Sequence, residues 1–313
     1  MRMHKTVYTV TLNPSIDVTL WVDGIDQDAV NHVMDERREA GGKGINVSRV
    51  LHAFDVDNLC VALAGEENRQ EFSAFLQRDE LRFSLLETTG AVRENITLRF
   101  GDETVKLNRR GPSLSVILLG ALMSFLTARI RPGDIAVFAG SLPENMKKQD
   151  YIELILAAKN AGALVAVDND CLTTEDYRRI SPWLTKPNIH ELQHIAGRVL
   201  SDEAELLKAA KELHDVGAQN VLATLGGEGM LLLNDEVCLR AKVPAVPVKS
   251  TVGAGDSALA GFIIGKVKGY TPEDTVRLSC ACGVAATVQE GTEVADRATT
   301  LEWMPQIELQ SIE

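Results

Sequence analysis

The chain has 313 residues, of which 45% are hydrophobic and 24% are charged, and 32 Lys and Arg against 44 Asp and Glu give a net charge of −12. This composition is typical of a globular protein with enough apolar side chains for a large core. Surfaces that bind nucleic acid are usually basic, because their cations displace the counterions of the phosphates. We therefore expect no nucleic-acid partner, and any phosphate ligand must be held by local groups.

The sequence also shows no mark of a membrane or secreted protein. Its longest apolar stretch, residues 116–126, is shorter than the roughly 18 to 20 residues that a bilayer requires. Residues 1–5 lead directly into a strand pattern and carry no secretory signal. These features predict a cytoplasmic protein without a membrane partner. The five cysteines are irregularly spaced, which predicts neither disulfides nor zinc, and Cys280 and Cys282 are expected to pack as small apolar side chains.

Short apolar runs rich in β-branched residues alternate along the chain with amphipathic segments. The runs predict strands at 7–12, 59–63, 135–138, 163–167 and 221–224. The amphipathic segments predict helices at 44–54, 68–79, 114–129, 147–160 and 203–216. Strands that alternate with helices predict a mostly parallel sheet covered by helices on both faces, the α/β class.

Two segments depart from this alternation, at about 16–35 and 93–108. Both contain alternating apolar residues that predict short antiparallel strands, and the second segment turns at Gly101-Asp102. A small sheet with one apolar face is not stable alone in water. We therefore expect these strands to form a lid over a ligand or to pack against another subunit.

The strongest local signal is the sequence STVGAGDS at 250–257, which a run of small residues follows. It predicts a glycine-rich turn that opens onto a helix, where free backbone N–H groups and the helix dipole favour an anion. Gly253, Ala254 and Gly255 would then face a transferring phosphoryl group, and Asp256 would accept the proton of an attacking hydroxyl. The alternative is an ordinary helix start, at which an Asp is favoured without any ligand.

A second glycine-rich turn, at 40–44, also enters a helix. It is not a P-loop, because no Gly-Lys-Ser/Thr closes it. Lys43 could neutralise a substrate phosphate and Asn46 could bind sugar hydroxyls, although Lys43 could equally be a solvated residue on a flexible turn. Asp17 follows the first strand, and a carboxylate beyond the carboxyl end of a strand is placed to bind ligand hydroxyls.

Six motifs in this order resemble the PfkB (ribokinase-like) family of carbohydrate kinases, and within it the phosphosugar branch. They are TLNPSID at 11–17, GGKGINV at 41–47, GSLP at 140–143, KPNIHEL at 186–192, TLG at 224–226 and STVGAGDS at 250–257. The resemblance implies one ribokinase-like domain over 1–313, a three-layer α/β/α structure with a small β-sheet lid. It also implies ATP, Mg²⁺ and a phosphorylated ketohexose as ligands, and a homodimer formed through the lid.

The resemblance assigns roles to individual residues around the acceptor. Asp256 matches the catalytic base, and Gly253, Ala254 and Gly255 match the anion hole. The positions that match the sugar site are Asp17, Gly42, Lys43 and Asn46. Arg93 and Ser141 match contacts to the phosphate that the sugar already carries, and a guanidinium binds phosphate in a bidentate manner. For Arg93, a solvated charge at a strand edge is the alternative.

The same resemblance places a nucleotide site and two cation sites. The nucleotide positions are Lys186, Thr224, Gly226 and Gly229, the last two within a glycine-rich segment that suits a tight turn between strands. Asn188 and Glu191 match an element that holds Mg²⁺ through water, although the same spacing is that of a helix capping box. The positions that match a K⁺ site are Ser250, Val252, Ala286, Gln289, Gly291 and Glu293.

The details of the motifs point to one acceptor among several. The glycine-rich loop together with Lys43 most resembles the members of this branch that act on fructose 1-phosphate, which implies phosphorylation of that sugar at O6 to fructose 1,6-bisphosphate. Tagatose 6-phosphate and fructose 6-phosphate are the alternative acceptors in the same branch, and a sugar-phosphate-binding regulator without catalysis is a further alternative. Arg109 and Arg110, at the edge of the predicted lid, either add phosphate affinity or are solvated charges.

Overall fold

The computed structural model describes residues 5–101 and 103–312. The strands within these ranges are β1 (Val7–Thr11), β2 (Ser15–Val22), β3 (Val33–Gly41), β4 (Asn58–Gly65), β5 (Phe83–Thr88), β6 (Arg93–Phe100), β7 (Glu103–Asn108), β8 (Ile135–Ala139), β9 (Leu164–Asp168), β10 (Leu184–Thr185), β11 (Val221–Thr224), β12 (Met230–Leu233), β13 (Cys238–Lys242) and β14 (Glu308–Ser311). The helices are α1 (Lys43–Ala53), α2 (Arg69–Arg78), α3 (Val116–Arg129), α4 (Lys148–Asn160), α5 (Thr174–Ile180), α6 (Ile189–Ala196), α7 (Glu203–Asp215), α8 (Ala254–Lys268), α9 (Pro272–Thr287) and α10 (Arg297–Trp303).

A ten-stranded sheet forms the centre of the molecule, in the order β14-β13-β12-β11-β10-β9-β8-β1-β4-β5. The strands from β11 to β5 are parallel, and β12, β13 and β14 extend the sheet as antiparallel strands. The mostly parallel α/β sheet that the alternation of apolar runs predicts is therefore confirmed. The five predicted strands and five predicted helices all form, with ends that differ by at most two residues.

Helices cover both faces of the sheet, because its strands alternate their side chains between two cores. Val7 of β1 belongs to the core beneath α1, α8 and α9, whereas Tyr8 and Val10 belong to the core beneath α3, α4 and α7. Cys280 and Cys282 are buried in the first of these cores, which confirms the expected packing role. No helix in the described ranges is both long and apolar enough to cross a bilayer.

The predicted lid is a four-stranded sheet with the order β3-β2-β6-β7. Its two hairpins, β2–β3 and β6–β7, are antiparallel as predicted, but the central pair β2–β6 is parallel. The expectation of antiparallel strands throughout is therefore wrong. Because β1 and β5 are both strands of the parallel part of the main sheet, β2 and β6 leave that sheet in the same direction and pair side by side.

The first lid segment is also longer than predicted. Strand β3 runs to Gly41 instead of ending near residue 35, and it joins the lid directly to α1. Its middle is the charged run DERRE at 35–39, which conceals the alternation of a strand because both faces of that stretch are polar. In the second segment, Gly101 lies at the turn after β6, and Asp102 of the predicted turn lies outside the described residues.

Candidate active site

Five neighbouring parallel strands end at one edge of the main sheet, and each delivers a polar side chain there. Asp168 is the last residue of β9 and Thr224 the last of β11, while Asn13, Ser141 and Lys186 follow β1, β8 and β10 within two residues. Parallel strands bring such residues together from distant parts of the chain, and ligands of open α/β sheets bind at this edge. The lid emerges from the same edge, since β2 follows β1 directly.

Helix α8 begins at this edge, as the glycine-rich motif predicts. Gly253 is its N-cap residue, with φ of 75°, a left-handed conformation that favours glycine, and it provides no side-chain cap. The N–H groups of the first turn have no partner within the helix and carry the positive end of its dipole. A Cβ atom at Gly255 would lie 3.2 Å from Nζ of Lys186. The amine of Lys186 therefore adjoins the predicted anion hole.

Asp256 lies in the first turn of α8 and is only 7% exposed. Its Oδ2 accepts a hydrogen bond of 2.8 Å from Nδ2 of Asn46. Burial, together with the nearby Asp168 carboxylate, raises the pKa of Asp256 to about 6, and the Asn46 hydrogen bond, Lys43 and Lys186 act in the opposite direction. A carboxylate with such a pKa is ionised at neutral pH and is still a better proton acceptor than an ordinary Asp.

Two lysines flank the buried carboxylate of Asp168. Nζ of Lys43 lies 3.0 Å from Oδ1 and Nζ of Lys186 lies 3.3 Å from Oδ2. Burial would raise the pKa of Asp168, but Lys186 and Lys43 outweigh it and hold that pKa below its usual value. Burial would lower the pKa of Lys43, but Asp168, Asp256 and Glu191 raise it above its ordinary value. Both amines therefore lie beside the buried carboxylate of Asp168.

This arrangement bears on one of the two interpretations of Lys43. The residue is the first of α1 and makes an ion pair with a buried Asp168, so the alternative of a solvated lysine on a flexible turn is wrong. Gly140 packs beside it, because a Cβ atom there would lie 3.7 Å from Cβ of Lys43. Lys43 consequently connects the carboxylates near α8 to the loop that carries Ser141. Contact of Lys43 with a substrate phosphate stays a prediction.

Asp17 is held at the base of the lid. Its Oδ1 accepts hydrogen bonds from Oγ of Ser15 at 2.8 Å and from Nδ2 of Asn95 at 2.9 Å. The carboxylate packs against Gly41, where any Cβ atom would overlap Asp17 Oδ2. Glycine at 41 is therefore required to seat this carboxylate, and Gly42, the N-cap of α1, follows directly. Sugar binding by Asp17 and Gly42 stays a prediction.

A second cluster joins Arg93, Asn13 and Ser141. Nδ2 of Asn13 donates to Oγ of Ser141 at 3.2 Å, and Nη2 of Arg93 donates to the Asn13 carbonyl at 3.3 Å. Nε of Arg93 is buried and has no hydrogen-bond partner in the described part of the chain. Burial lowers the pKa of Arg93, which does not fit a freely solvated strand-edge charge. The adjoining cations Arg109 and Arg110 form ion pairs with Glu94 and Glu144, at 3.1 and 2.7 Å.

The nucleotide side is built on α6 and on the turn between β11 and β12. Asn188 caps α6, and its backbone N–H donates to Oε2 of Glu191 at 2.9 Å, which confirms the capping box. The other oxygen, Oε1 of Glu191, lies 3.9 Å from Nζ of Lys43. Gly226 to Gly229 form the predicted tight turn, in which the Leu225 N–H donates to the Gly229 carbonyl at 2.8 Å. A nucleotide role for Lys186, Thr224 and these glycines stays a prediction.

The segment predicted to bind a monovalent cation closes onto the loop before α8. Oγ of Ser250 donates to the Gly291 carbonyl at 2.6 Å and accepts from the Val252 N–H at 3.2 Å. Gln289 and Glu293 turn elsewhere, because Gln289 binds Asp296 at 2.7 Å and Glu293 pairs with Arg37 at 3.1 Å. Ala286 lies in the last turn of α9. The structure thus brings Ser250, Val252 and Gly291 of the predicted cation site together, whereas the side chains of Gln289 and Glu293 bind other residues.

Three residues in this region were not assigned roles by the sequence analysis, namely Asn13, Asn95 and Asp168. Asn13 and Asp168 stand at or just beyond the carboxyl ends of parallel strands, a position that could have marked them. Asn95 is directly opposite Asp17 in the β2–β6 ladder. That pairing was not visible, because the parallel arrangement of the two lid hairpins was not predicted.

Comparisons with known proteins show the family to which the chain belongs. The model of the pfkB family of carbohydrate kinases matches residues 8–298. A 1-phosphofructokinase of Bacillus subtilis is 34% identical over 289 residues, which cover 92% of this chain and 95% of that protein. A tagatose-6-phosphate kinase of Staphylococcus epidermidis is 27% identical over 291 residues, which cover 91% of this chain and 93% of that protein. The crystal structure of phosphofructokinase-2 from Escherichia coli in complex with potassium has a TM-score of 0.90 at 27% identity and covers 97% of this chain and 99% of its own. The fold is therefore ribokinase-like, and the chain belongs to the pfkB family of carbohydrate kinases.

Proposed function

We propose that this protein is a phosphosugar kinase that uses ATP and Mg²⁺ to convert fructose 1-phosphate to fructose 1,6-bisphosphate. The observation that carries the proposal is the position of Asp256, a buried carboxylate in the first turn of α8, beside the amine of Lys186. A base next to unpaired helix N–H groups is the arrangement that phosphoryl transfer to a hydroxyl requires. The 34% identity to a 1-phosphofructokinase supports the choice of acceptor.

In this mechanism the carboxylate of Asp256 accepts the proton of the C6 hydroxyl. O6 forms a bond to the γ-phosphorus while the bond between that phosphorus and the bridging oxygen of the β-phosphate breaks, and ADP leaves with the electron pair. The N–H groups of Ala254 and Gly255 and the ammonium of Lys186 face the negative charge that spreads over the phosphoryl oxygens. The hydrogen bond from Asn46 keeps Asp256 oriented before transfer.

The residues on the nucleotide side fit a magnesium ion held through water. Glu191 has one oxygen in the capping box and the other free of that bond, and Asn188 lies beside it at the start of α6. Mg²⁺ retains several of its waters and needs few carboxylates, so the second oxygen of Glu191 is sufficient, while the amide oxygen of Asn188 accepts from the N–H groups of His190 and Glu191. When bound, Mg²⁺ neutralises phosphate charge. Lys186, Thr224, Gly226 and Gly229 would line the nucleotide.

The phosphate already present on the sugar would be bound at the other end of the site. Arg93 and Ser141 are linked through Asn13, and Lys43 packs against the loop that carries Ser141. Asp17, Gly42 and Asn46 would bind the sugar between this phosphate and Asp256. Closure of the lid over the sugar would exclude water and so suppress hydrolysis of ATP.

A panel of ketohexose phosphates tests the acceptor. We expect kcat/KM for fructose 1-phosphate to exceed that for tagatose 6-phosphate and fructose 6-phosphate by about tenfold or more, a difference of about 1.4 kcal/mol in transition-state binding. A coupled-enzyme assay of ADP release measures the rate with each of the three sugar phosphates. Unphosphorylated fructose is the control for the phosphate contacts. A tenfold preference for either 6-phosphate would replace the proposed acceptor. Absence of turnover with every sugar would favour a binding protein without catalysis.

We further propose that K⁺ raises activity through the segment that joins Ser250 to Gly291. The hydroxyl of Ser250, in the loop before α8, donates to the carbonyl of Gly291, which follows α9, and these two oxygens lie 2.6 Å apart. An ion bound at this loop would hold the backbone N–H groups of the first turn of α8 in position. We expect kcat to be several-fold higher in K⁺ than in Na⁺ or tetramethylammonium at equal ionic strength. Equal rates in the three salts would remove the cation from the proposal.

The lid carries the proposed dimer contact. Val33, Met34, Val105 and Leu107 leave apolar side chains exposed on its strands. A second copy of the chain would cover these apolar side chains, so that the lids of the two copies pack against each other.

We also propose a cytoplasmic location, in keeping with a substrate that is a sugar phosphate. The assignment of residues 1–313 to one domain stays a prediction.

A further inference from the structure

Arg49 makes three hydrogen bonds behind the catalytic carboxylate, and the proposed reaction does not use it. Nε donates to Oδ2 of Asp79 at 2.8 Å, Nη1 to Oδ1 of Asn46 at 3.0 Å, and Nη2 to the carbonyl of Ala40 at 2.7 Å. Its side chain is only 16% exposed. One guanidinium therefore joins α1, the C-terminal cap of α2 and the base of the lid strand β3.

The hydrogen bonds of Asn46 can be satisfied in one orientation only. A guanidinium only donates hydrogen bonds and an ionised carboxylate only accepts them. Asn46 lies between Arg49 and Asp256, so its amide oxygen must face Arg49 and its amide nitrogen must face Asp256. If the amide turned over, its oxygen would face the carboxylate and its nitrogen would face the guanidinium, and both contacts would be repulsive.

We propose that Arg49 is a positioning residue: it holds the amide oxygen of Asn46, so that the amide nitrogen stays directed at Oδ2 of Asp256. The inference rests on the proposed kinase function, in which Asp256 is the base. Arg49 does not contact the reacting atoms and acts through Asn46. The contact with the Ala40 carbonyl places the same guanidinium next to Gly41, which seats Asp17, so that the base and the sugar site share one point of attachment.

The proposal predicts how Asp256 titrates when Arg49 is replaced. The charged groups that face Asp256 are Asp168, which raises its pKa, and Lys43 and Lys186, which lower it, and none of these is changed by the substitution. The Asn46 hydrogen bond stabilises the ionised form. Once the amide is free to turn, that stabilisation is lost, and the pKa of Asp256 rises further above its ordinary value. The base is then protonated over a wider range of acidic pH.

A double-mutant cycle on the ligand-free protein tests this without any assumption about the substrate. The carboxyl ¹³C signal of Asp256, assigned by its loss in Asp256→Asn, is titrated in the wild type, Arg49→Met, Asn46→Leu and the double variant. We expect Arg49→Met to raise the midpoint by about one pH unit, the scale of one hydrogen bond to a charged group. In the Asn46→Leu background we expect no further rise. The same rise in both backgrounds would show a direct charge effect and would overturn the proposal.

Two further variants keep the test decisive. Arg49→Lys retains the charge but has no planar fork to reach Asn46 and Ala40 together. Arg49→Lys should fold even if Arg49→Met does not. We expect the titration midpoint of Asp256 to rise in Arg49→Lys as well, so a wild-type midpoint in this variant would contradict the proposal. Arg78→Met is the matched control, because Arg78 lines the same 480 Å³ cavity as Arg49 but does not contact Asn46. It should leave the midpoint unchanged.

Kinetics separate this inference from the proposed function. In the Arg49 variants the acidic limb of kcat/KM should move to higher pH by the amount seen in the titration, and kcat should approach the wild-type value at about pH 8.5, where Asp256 is ionised in all variants. A loss of kcat that is equal at every pH would indicate a merely structural role and would overturn the inference. If the wild type phosphorylates no sugar, the proposed function fails, and the titration still decides whether Arg49 positions Asn46.

Discussion

Replacement of Asp256 by Asn is expected to lower kcat about 10³-fold, within the 10²- to 10⁴-fold range of general base catalysis. The amide has the same shape as the carboxylate, and its oxygen can still accept the 2.8 Å hydrogen bond from Asn46. We therefore expect KM for the acceptor and for ATP to change by less than about threefold, since the lost interaction belongs to the transition state. Steady-state release of ADP measures kcat and both KM values.

The matched control for this substitution is Asp170→Asn. Asp170 is an exposed carboxylate at the same edge of the sheet, two residues after Asp168, and its loss should leave kcat unchanged. Melting temperatures of both variants establish that they are folded. Wild-type activity in Asp256→Asn would remove Asp256 from the mechanism, and a large rise in KM without a change in kcat would assign it to binding instead.

Replacement of Lys43 by Met is expected to lower kcat/KM for the phosphorylated sugar about 100-fold, the scale of one or two hydrogen bonds to charged groups. The substitution removes the cation that lies 3.0 Å from Asp168 and the positive charge that lowers the pKa of Asp256. It also removes the proposed contact with the resident phosphate. Both effects reduce turnover. Without the positive charge of Lys43, the pKa of Asp256 rises and the base stays protonated up to a higher pH. Without the contact to the phosphate, the acceptor binds more weakly.

Lys43→Arg and Lys147→Met are the controls for Lys43. Arginine keeps the charge in a different shape, so we expect it to recover part of the loss. Lys147 is exposed just before α4 and should tolerate methionine. With unphosphorylated fructose, Lys43→Met should cost less activity than with the phosphate, because one of the two effects is missing. An equal loss with both sugars would show that Lys43 acts only on the carboxylates and does not bind the resident phosphate.

Much of the fold was predictable because its signals are local. The alternation of apolar runs and amphipathic segments predicted five strands of the central sheet, and the glycine-rich motifs predicted the starts of α1 and α8. Other elements were missed for identifiable reasons. Strand β10 has two residues, too few for any period, and α9 carries buried residues over most of its circumference, so that its apolar stripe is lost.

The candidate site likewise has residues that local motifs predict and contacts that only the folded chain creates. The motifs identified Asp256, Lys43 and Asn46 as polar residues at glycine-rich helix starts, a property of a few adjacent residues. They did not indicate that Lys43 makes an ion pair with Asp168, 125 residues away, or that Asn46 binds Asp256, 210 residues away. Such pairs depend on which strands become neighbours in the sheet, and no local pattern encodes that order.

The sequence by itself thus determined the class of the fold, the positions of the glycine-rich turns and the kind of chemistry that they favour, because backbone freedom and apolar periodicity act over a few residues. Only the tertiary structure decided the parallel pairing of the lid hairpins, the pKa of Asp256 and the orientation of the Asn46 amide against Arg49. These depend on burial and on charges that separate strands and helices bring together, and both arise only when the chain has folded.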